Sequence, residues 1–173
     1  MKQKIFALLM TAALMAGLLT VPAAASGPDS TAHADKLVSL HLFRDTANGY
    51  NLEATPTRLQ GLIMLVRLLG LEEEALACED SNPFIDVTGT GDCYAAYAYA
   101  KGLTKGTGTN TFTPSRALSA GNYITFLLRA LGYDDSQGDF APSQALTAAT
   151  DISLMTQSAA SALSGAAMDR GTW

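Results

Sequence analysis

At 173 residues the chain is long enough for one ordinary domain or a few small repeats. Its formal net charge is −5, and it becomes −7 once residues 1–25 are removed, because Lys2 and Lys4 go with them. A domain this acidic argues against nucleic acid and anionic lipid as partners, since both select for basic patches.

Lys2 and Lys4 form a short positive segment at the start. Ile5 to Val21 is apolar apart from Gly17, Thr11 and Thr20; Pro22 then breaks the run, and Ala23-Ala24-Ala25 supplies an A-x-A site. This is the pattern of a secretory signal peptide helix over residues 1–25, with cleavage expected between Ala25 and Ser26. A run of ~17 residues is short for a membrane span. The later apolar stretch, Leu59 to Leu71, is interrupted by Arg67. The exported chain is therefore expected to be soluble and without a membrane partner after cleavage.

Beyond the signal segment the chain repeats itself. Val66-Arg67-Leu68-Leu69-Gly70-Leu71 recurs as Leu128-Arg129-Ala130-Leu131-Gly132-Tyr133, an offset of 62 that also pairs Tyr50 with Phe112 and Thr57 with Ser119. Leu42 pairs with Leu103 after a one-residue gap. Each unit reads as a short helix, a loop with one aromatic, a longer helix and a glycine stop.

In the first unit, residues 26–76, Ala34 to Leu42 suits a short amphipathic helix and Arg44 to Ala54 a loop. Thr57 is an N-cap with Gln60 three residues on, a capping box; Leu59, Leu62, Ile63, Val66 and Leu69 follow at helical spacing and Gly70 stops the helix. In the second unit, residues 77–138, the short helix is expected over Tyr94 to Lys101 with Gly102 ending it. Thr104 to Thr113 should be a surface turn region, and Ser119 should cap the long helix that Gly132 ends. The third unit, residues 139–173, is weaker: Ser143 to Thr150 can form a short helix, and Ile152 falls where Leu103 falls in the second. Its loop runs to Asp169-Arg170-Gly171, where a third long helix would only begin. The third unit is thus incomplete, and the last ~30 residues are expected to pack poorly.

Asn82-Pro83-Phe84-Ile85-Asp86-Val87, a short helix, Gly102-Leu103-Thr104-Lys105-Gly106, Phe112-Thr113-Pro114 and a long helix ending Arg-x-Leu-Gly together resemble an S-layer homology (SLH) repeat. The resemblance extends over residues 82–133, less closely over 32–71, and weakens beyond 139. It implies an all-α fold, a pseudo-threefold bundle whose grooves between repeats bind secondary cell-wall polysaccharide or a related wall-linked polymer, often pyruvylated. The implied function is non-catalytic attachment of an exported protein to the bacterial cell wall. The family's Thr-Arg-Ala-Glu signature is met by Thr57-Arg58-Leu59-Gln60, whereas Ser119-Ala120-Gly121-Asn122 lacks the arginine; Cys93-Tyr94 stands where a tryptophan is common.

Arg58 is the sharpest candidate for polymer binding, because a guanidinium forks onto a carboxylate and a helix N-terminus favours an anion. The alternatives are a solvated first-turn arginine or a salt bridge to Asp86. Asp86 either accepts from sugar hydroxyls or caps a turn. Thr57 and Gln60 line the same helix start, mostly as caps. Lys105 faces polymer phosphate or carboxylate or simply solvent, and Tyr94, Tyr97 and Tyr99 divide between a stacking face and core. Cys78 and Cys93, fifteen positions apart, are either a disulfide, stabilising by about 3 kcal/mol in the chain-entropy model, or two independent thiols.

No catalytic constellation emerges: His33 and His41 lack a neighbouring nucleophile, Gly106-Thr107-Gly108-Thr109 lacks a phosphate-loop ending, and Asp134 to Asp139 does not fit a calcium loop. No enzyme activity and no cofactor are expected. Two other readings stay open: a structural or interaction module with a degenerate sugar site, and the anchor portion of a longer wall-active enzyme.

Overall fold

A computed structural model describes residues 30–43, 49–52 and 54–165. The expected signal peptide over residues 1–25, its expected Ala25–Ser26 cleavage point and residues 166–173 lie outside the described residues. Those described form helices α1 (Ser30–Ser39), α2 (Arg58–Leu68), α3 (Glu72–Leu76), α4 (Gly91–Ala100), α5 (Ala120–Ala130), a 3₁₀ turn (Pro142–Gln144), α6 (Ala145–Asp151) and α7 (Gln157–Gly165). Among them there is no strand; isolated bridges pair Thr57 with Ala117 and Gly108 with Thr111. The all-α expectation holds.

The repeat is written in how the helices stop. After each short helix one residue takes a positive φ, and the next two N–H groups return to a single carbonyl. His41 (φ 59°) precedes Leu42 and Phe43 on the Leu37 oxygen; Gly102 (72°) precedes Leu103 and Thr104 on the Ala98 oxygen; Ser153 (60°) precedes Leu154 and Met155 on the Ala149 oxygen. Orphan carbonyls at helix ends need such donors, and the left-handed residue delivers them. The third copy corrects one expectation: Leu154, not Ile152, occupies the place of Leu103. The long helices stop by the same device at Gly70 and Gly132, with Leu71 N–H on Val66 and Tyr133 N–H on Leu128.

Residues 72–76, read as no more than the tail of the first unit, form α3, three consecutive glutamates at the favourable N-terminal end of its dipole. Arg67 donates to Glu72 at 2.9 Å; one unit later Arg129 forks onto Asp135, both bonds 2.9 Å. The arginine of the Arg-x-Leu-Gly run thus ties each long helix to the chain that leaves it.

The starts of α2 and α5 are joined. Arg58 N–H donates to the Arg116 carbonyl and Leu118 N–H to the Pro56 carbonyl, at 2.8 and 2.9 Å. Behind this junction lies the main core, with Leu62, Leu65, Phe84, Phe112 and Phe126 at its centre. A second cluster, Ile124, Leu128, Phe140, Ala145 and Ala149, joins α5 to α6, and a third, Val66, Ala75, Tyr94 and Tyr97, joins α2 and α3 to α4. Phe140 opens the third unit much as Phe84 opens the second, both buried.

The expected slack at the C-terminal end is corrected for α6, whereas from Asp151 to Ser164 only Ala160 is buried among the described residues. Where a loop was expected, α7 forms, and Ala145, Ala149 and Ala160 are buried. Small side chains let α5, α6 and α7 approach closely, so the third unit packs on the long helix of the second.

Candidate functional site

Thr57 and Gln60 form the reciprocal capping box: Thr57 Oγ1 accepts from Gln60 N–H at 3.3 Å, and Gln60 Oε1 accepts from Thr57 N–H at 2.9 Å. Both are engaged in starting α2, and the side chain between them turns inward.

Arg58 is only 5% exposed, which corrects the expectation of a guanidinium presented to an open groove. Its guanidinium carbon lies 4.8 Å from the centroids of both Phe112 and Phe126, sandwiched between two π-faces. One terminal nitrogen donates to Asn122 Oδ1 at 2.9 Å and the other to the Gly106 carbonyl at 3.4 Å, while Nε is buried with no partner. Burial, and then the charges of Arg129 and Arg116, push its pKa down to about 10. The expected alternative partner, Asp86, is elsewhere. Packing decided this: the aromatic at 112 and the helix at 120–130 create a slot that the arginine's stem and face fill.

Asp86 accepts from Phe112 N–H and Thr113 N–H at 2.8 and 2.7 Å, and so clamps the end of the glycine loop. Partial burial raises its pKa, but these backbone donors outweigh that and hold it below the usual carboxylate range. Asn82, not Asp86, organises the approach to α4 by bonding the Phe84 and Val87 carbonyls and Asp92.

Lys105 bridges to Asp134 at 2.6 Å and Asp135 at 2.8 Å and also bonds Ser136. Arg129 and Lys105 together hold Asp135 well below the ordinary carboxylate value. Tyr94 and Tyr97 are core residues whose hydroxyls donate to Glu72 and Glu74; Tyr99 stays half exposed and meets Phe84 edge-on. His41 serves in the turn that ends α1. Cys78 and Cys93 are free thiols, each partly buried. Among the described residues, no three of His, Cys, Asp and Glu gather so as to hold a metal ion, and no helix is long and apolar enough to cross a membrane.

The residues singled out in the sequence are therefore not brought together: Thr57 and Gln60 cap α2, Asp86 clamps the loop, Lys105 pairs with Asp134 and Asp135, and Arg58 joins Gly106 of the loop to Asn122 of α5 in a structural junction. Among the described residues an open crevice lies next to it, at Gly121. This crevice, of about 270 Å³, runs between the start of α5, the 3₁₀ turn with α6, and α7. Gly121 is part of its lining, and Ser143, Gln144, Thr147, Gln157 and Ser161 supply hydroxyl and amide groups. A Cβ on Gly121 would meet nothing within 4 Å. Sequence reading missed this site because its α7 wall was expected to be loop. Gly121 and Asn122 were noticed only as departures from a signature.

No protein-family model matches the chain. It is 30% identical over 156 residues to a middle cell wall protein of Brevibacillus brevis, covering 86% of this chain and 15% of that protein. It is 26% identical over 123 residues to a surface layer protein of Brevibacillus choshinensis (69% and 11%), and 30% identical over 146 residues to a cell surface protein of Thermoanaerobacter kivui (77% and 19%). The chain spans less than a fifth of the length of these relatives. All three are named as proteins of the bacterial wall or surface, and the likeness supports a location for this chain at the cell wall or cell surface.

Proposed function

We propose that the chain is a non-catalytic attachment module that binds secondary cell-wall polysaccharide through its SLH-like units, with the crevice between the second and third units as the contact. The observation that carries this is the crevice itself. It is open, sits where two repeated units meet, and is lined by hydroxyl and amide groups that can donate to and accept from sugar hydroxyls. The alanine at 120, where the SLH signature has arginine, leaves the start of α5 without a cation from that position. The site therefore suits the neutral hydroxyl face of a polysaccharide better than a carboxylate substituent. Names among the relatives agree with a wall-associated role.

The test is co-sedimentation of the exported chain with purified wall sacculi. Gly121→Leu should fill the crevice at little cost to the fold, because the space is there and leucine favours helix more than glycine does. We expect the unaltered chain to pellet and Gly121→Leu to bind at least about tenfold more weakly, a loss of ~1.4 kcal/mol or more. An unaltered chain left in the supernatant, or a Gly121→Leu chain that pellets like the original, overturns the proposal. Such a result favours a structural or interaction module, a reading that the internal engagement of Arg58 also supports.

A further inference from the structure

Cys78 and Cys93 take part in neither the crevice nor the Arg58 slot. Cys78 follows α3, two residues past its last turn, and Cys93 lies in the first turn of α4. Both pack against one cluster, Val66, Ala75, Tyr94 and Tyr97, which seals α3 onto α4. Cys93 and Tyr97 are four apart on α4 and so share a face. Cys78 packs against the same cluster from the end of α3, so both thiols border one apolar seam. Each thiol meanwhile makes only a weak sulfur hydrogen bond, Cys78 to Asp80 at 3.3 Å and Cys93 to the Thr90 carbonyl at 3.6 Å.

A nucleophilic role does not fit. Partial burial, with the Asp80 carboxylate added, pushes the Cys78 thiol up, the opposite of an activated thiolate. What does fit is a pair of modest thiols on adjoining elements of a cell-surface chain, where disulfides persist.

We propose that Cys78 and Cys93 form an intramolecular disulfide that staples the end of the first unit to the first turn of α4. The bond closes the segment 79–92, which carries Phe84 into the core and Asp86 to the glycine loop. The oxidant is an external disulfide. One cysteine thiolate attacks it and expels a thiolate; the second cysteine attacks the mixed disulfide and expels the other. The protein loses two thiol protons and two electrons, and the external disulfide is reduced to two thiols.

The experiment equilibrates the exported chain in a glutathione buffer set to an oxidising ratio. It then counts thiols in denaturant, weighs the monomer, and compares melting temperatures with and without reductant. We expect no titratable thiol, a monomer lighter by two hydrogens with no glutathione attached, and a melting temperature higher than that of the reduced chain by about 10 °C. Cys78→Ser should abolish the reductant-dependent difference. Two free thiols after equilibration, a bond formed only between chains, a persistent glutathione adduct, or an oxidised chain no more stable than the reduced one overturns the staple.

Discussion

Arg58 shows how one side chain can satisfy a sequence signature and still do something other than the signature suggests. A guanidinium is planar, weakly hydrated and able to stack, so it can lie against two phenylalanine rings while its edge donates hydrogen bonds. Its cost is visible in the unpartnered Nε and the lowered pKa. That balance gives a prediction. Arg58→Ala leaves a void between Phe112 and Phe126 and frees Asn122, and should destabilise by about 2–4 kcal/mol. Arg58→Met keeps the stem and removes the charge, and should cost at least ~1 kcal/mol less than the alanine. Denaturant midpoints of the two variants decide it; equal losses would mean that hydrogen bonds, not packing of the stem, hold the slot together.

At the scale of elements, the glycine loop joins its two neighbours. Gly106 has φ +79°, and a Cβ there would come within 2.5 Å of the Thr111 carbonyl and 2.6 Å of the Phe84 ring. Both contacts are stiff, one backbone and one a core aromatic. Gly106→Ala should therefore destabilise by roughly 1–3 kcal/mol. Because the Gly106 carbonyl also accepts from Arg58, the loss should be smaller when made in the Arg58→Met background. A double-mutant cycle on unfolding free energies measures this coupling, and strict additivity would refute it. Elements of this kind were readable where the information is local. The capping box at Thr57 and Gln60 and the stops at Gly70, Gly102 and Gly132 depend on residues within one turn of each other. The α3 helix and α7 were missed because one is a single turn of glutamates and the other is rich in Ser, Ala and Gly; neither carries a strong apolar period, and both form by packing on neighbours.

For the molecule as a whole, the third unit matters most. Ile124 and Leu128 on α5 are covered by Phe140, Ala145 and Ala149. A chain ending at Asp139 should expose them. At about 1.5–3 kcal/mol for each large side chain uncovered, the loss should be roughly 3–6 kcal/mol, with a lower melting temperature and new binding of a hydrophobic dye. A truncated chain that melts like the full one would show the third unit to be an appendage. The crevice belongs to this scale too, since its walls come from three elements and vanish with α6 and α7.

What the residues alone determined was periodic and local: the 62-residue offset and the cap and stop of each long helix, whereas the expected inward Leu69 is exposed and Leu65 is buried in its stead. Caps and stops follow from backbone hydrogen-bond demands that neighbours in sequence can meet. Tertiary structure decided what each polar group faces. Asp86 finds Phe112 and Thr113, Lys105 finds Asp134 and Asp135, and Arg58 finds two rings, each partner more than 25 positions away. Whether a charge is an open binding group or a packed one depends on the desolvation it meets when helices close around it, and no periodicity records that.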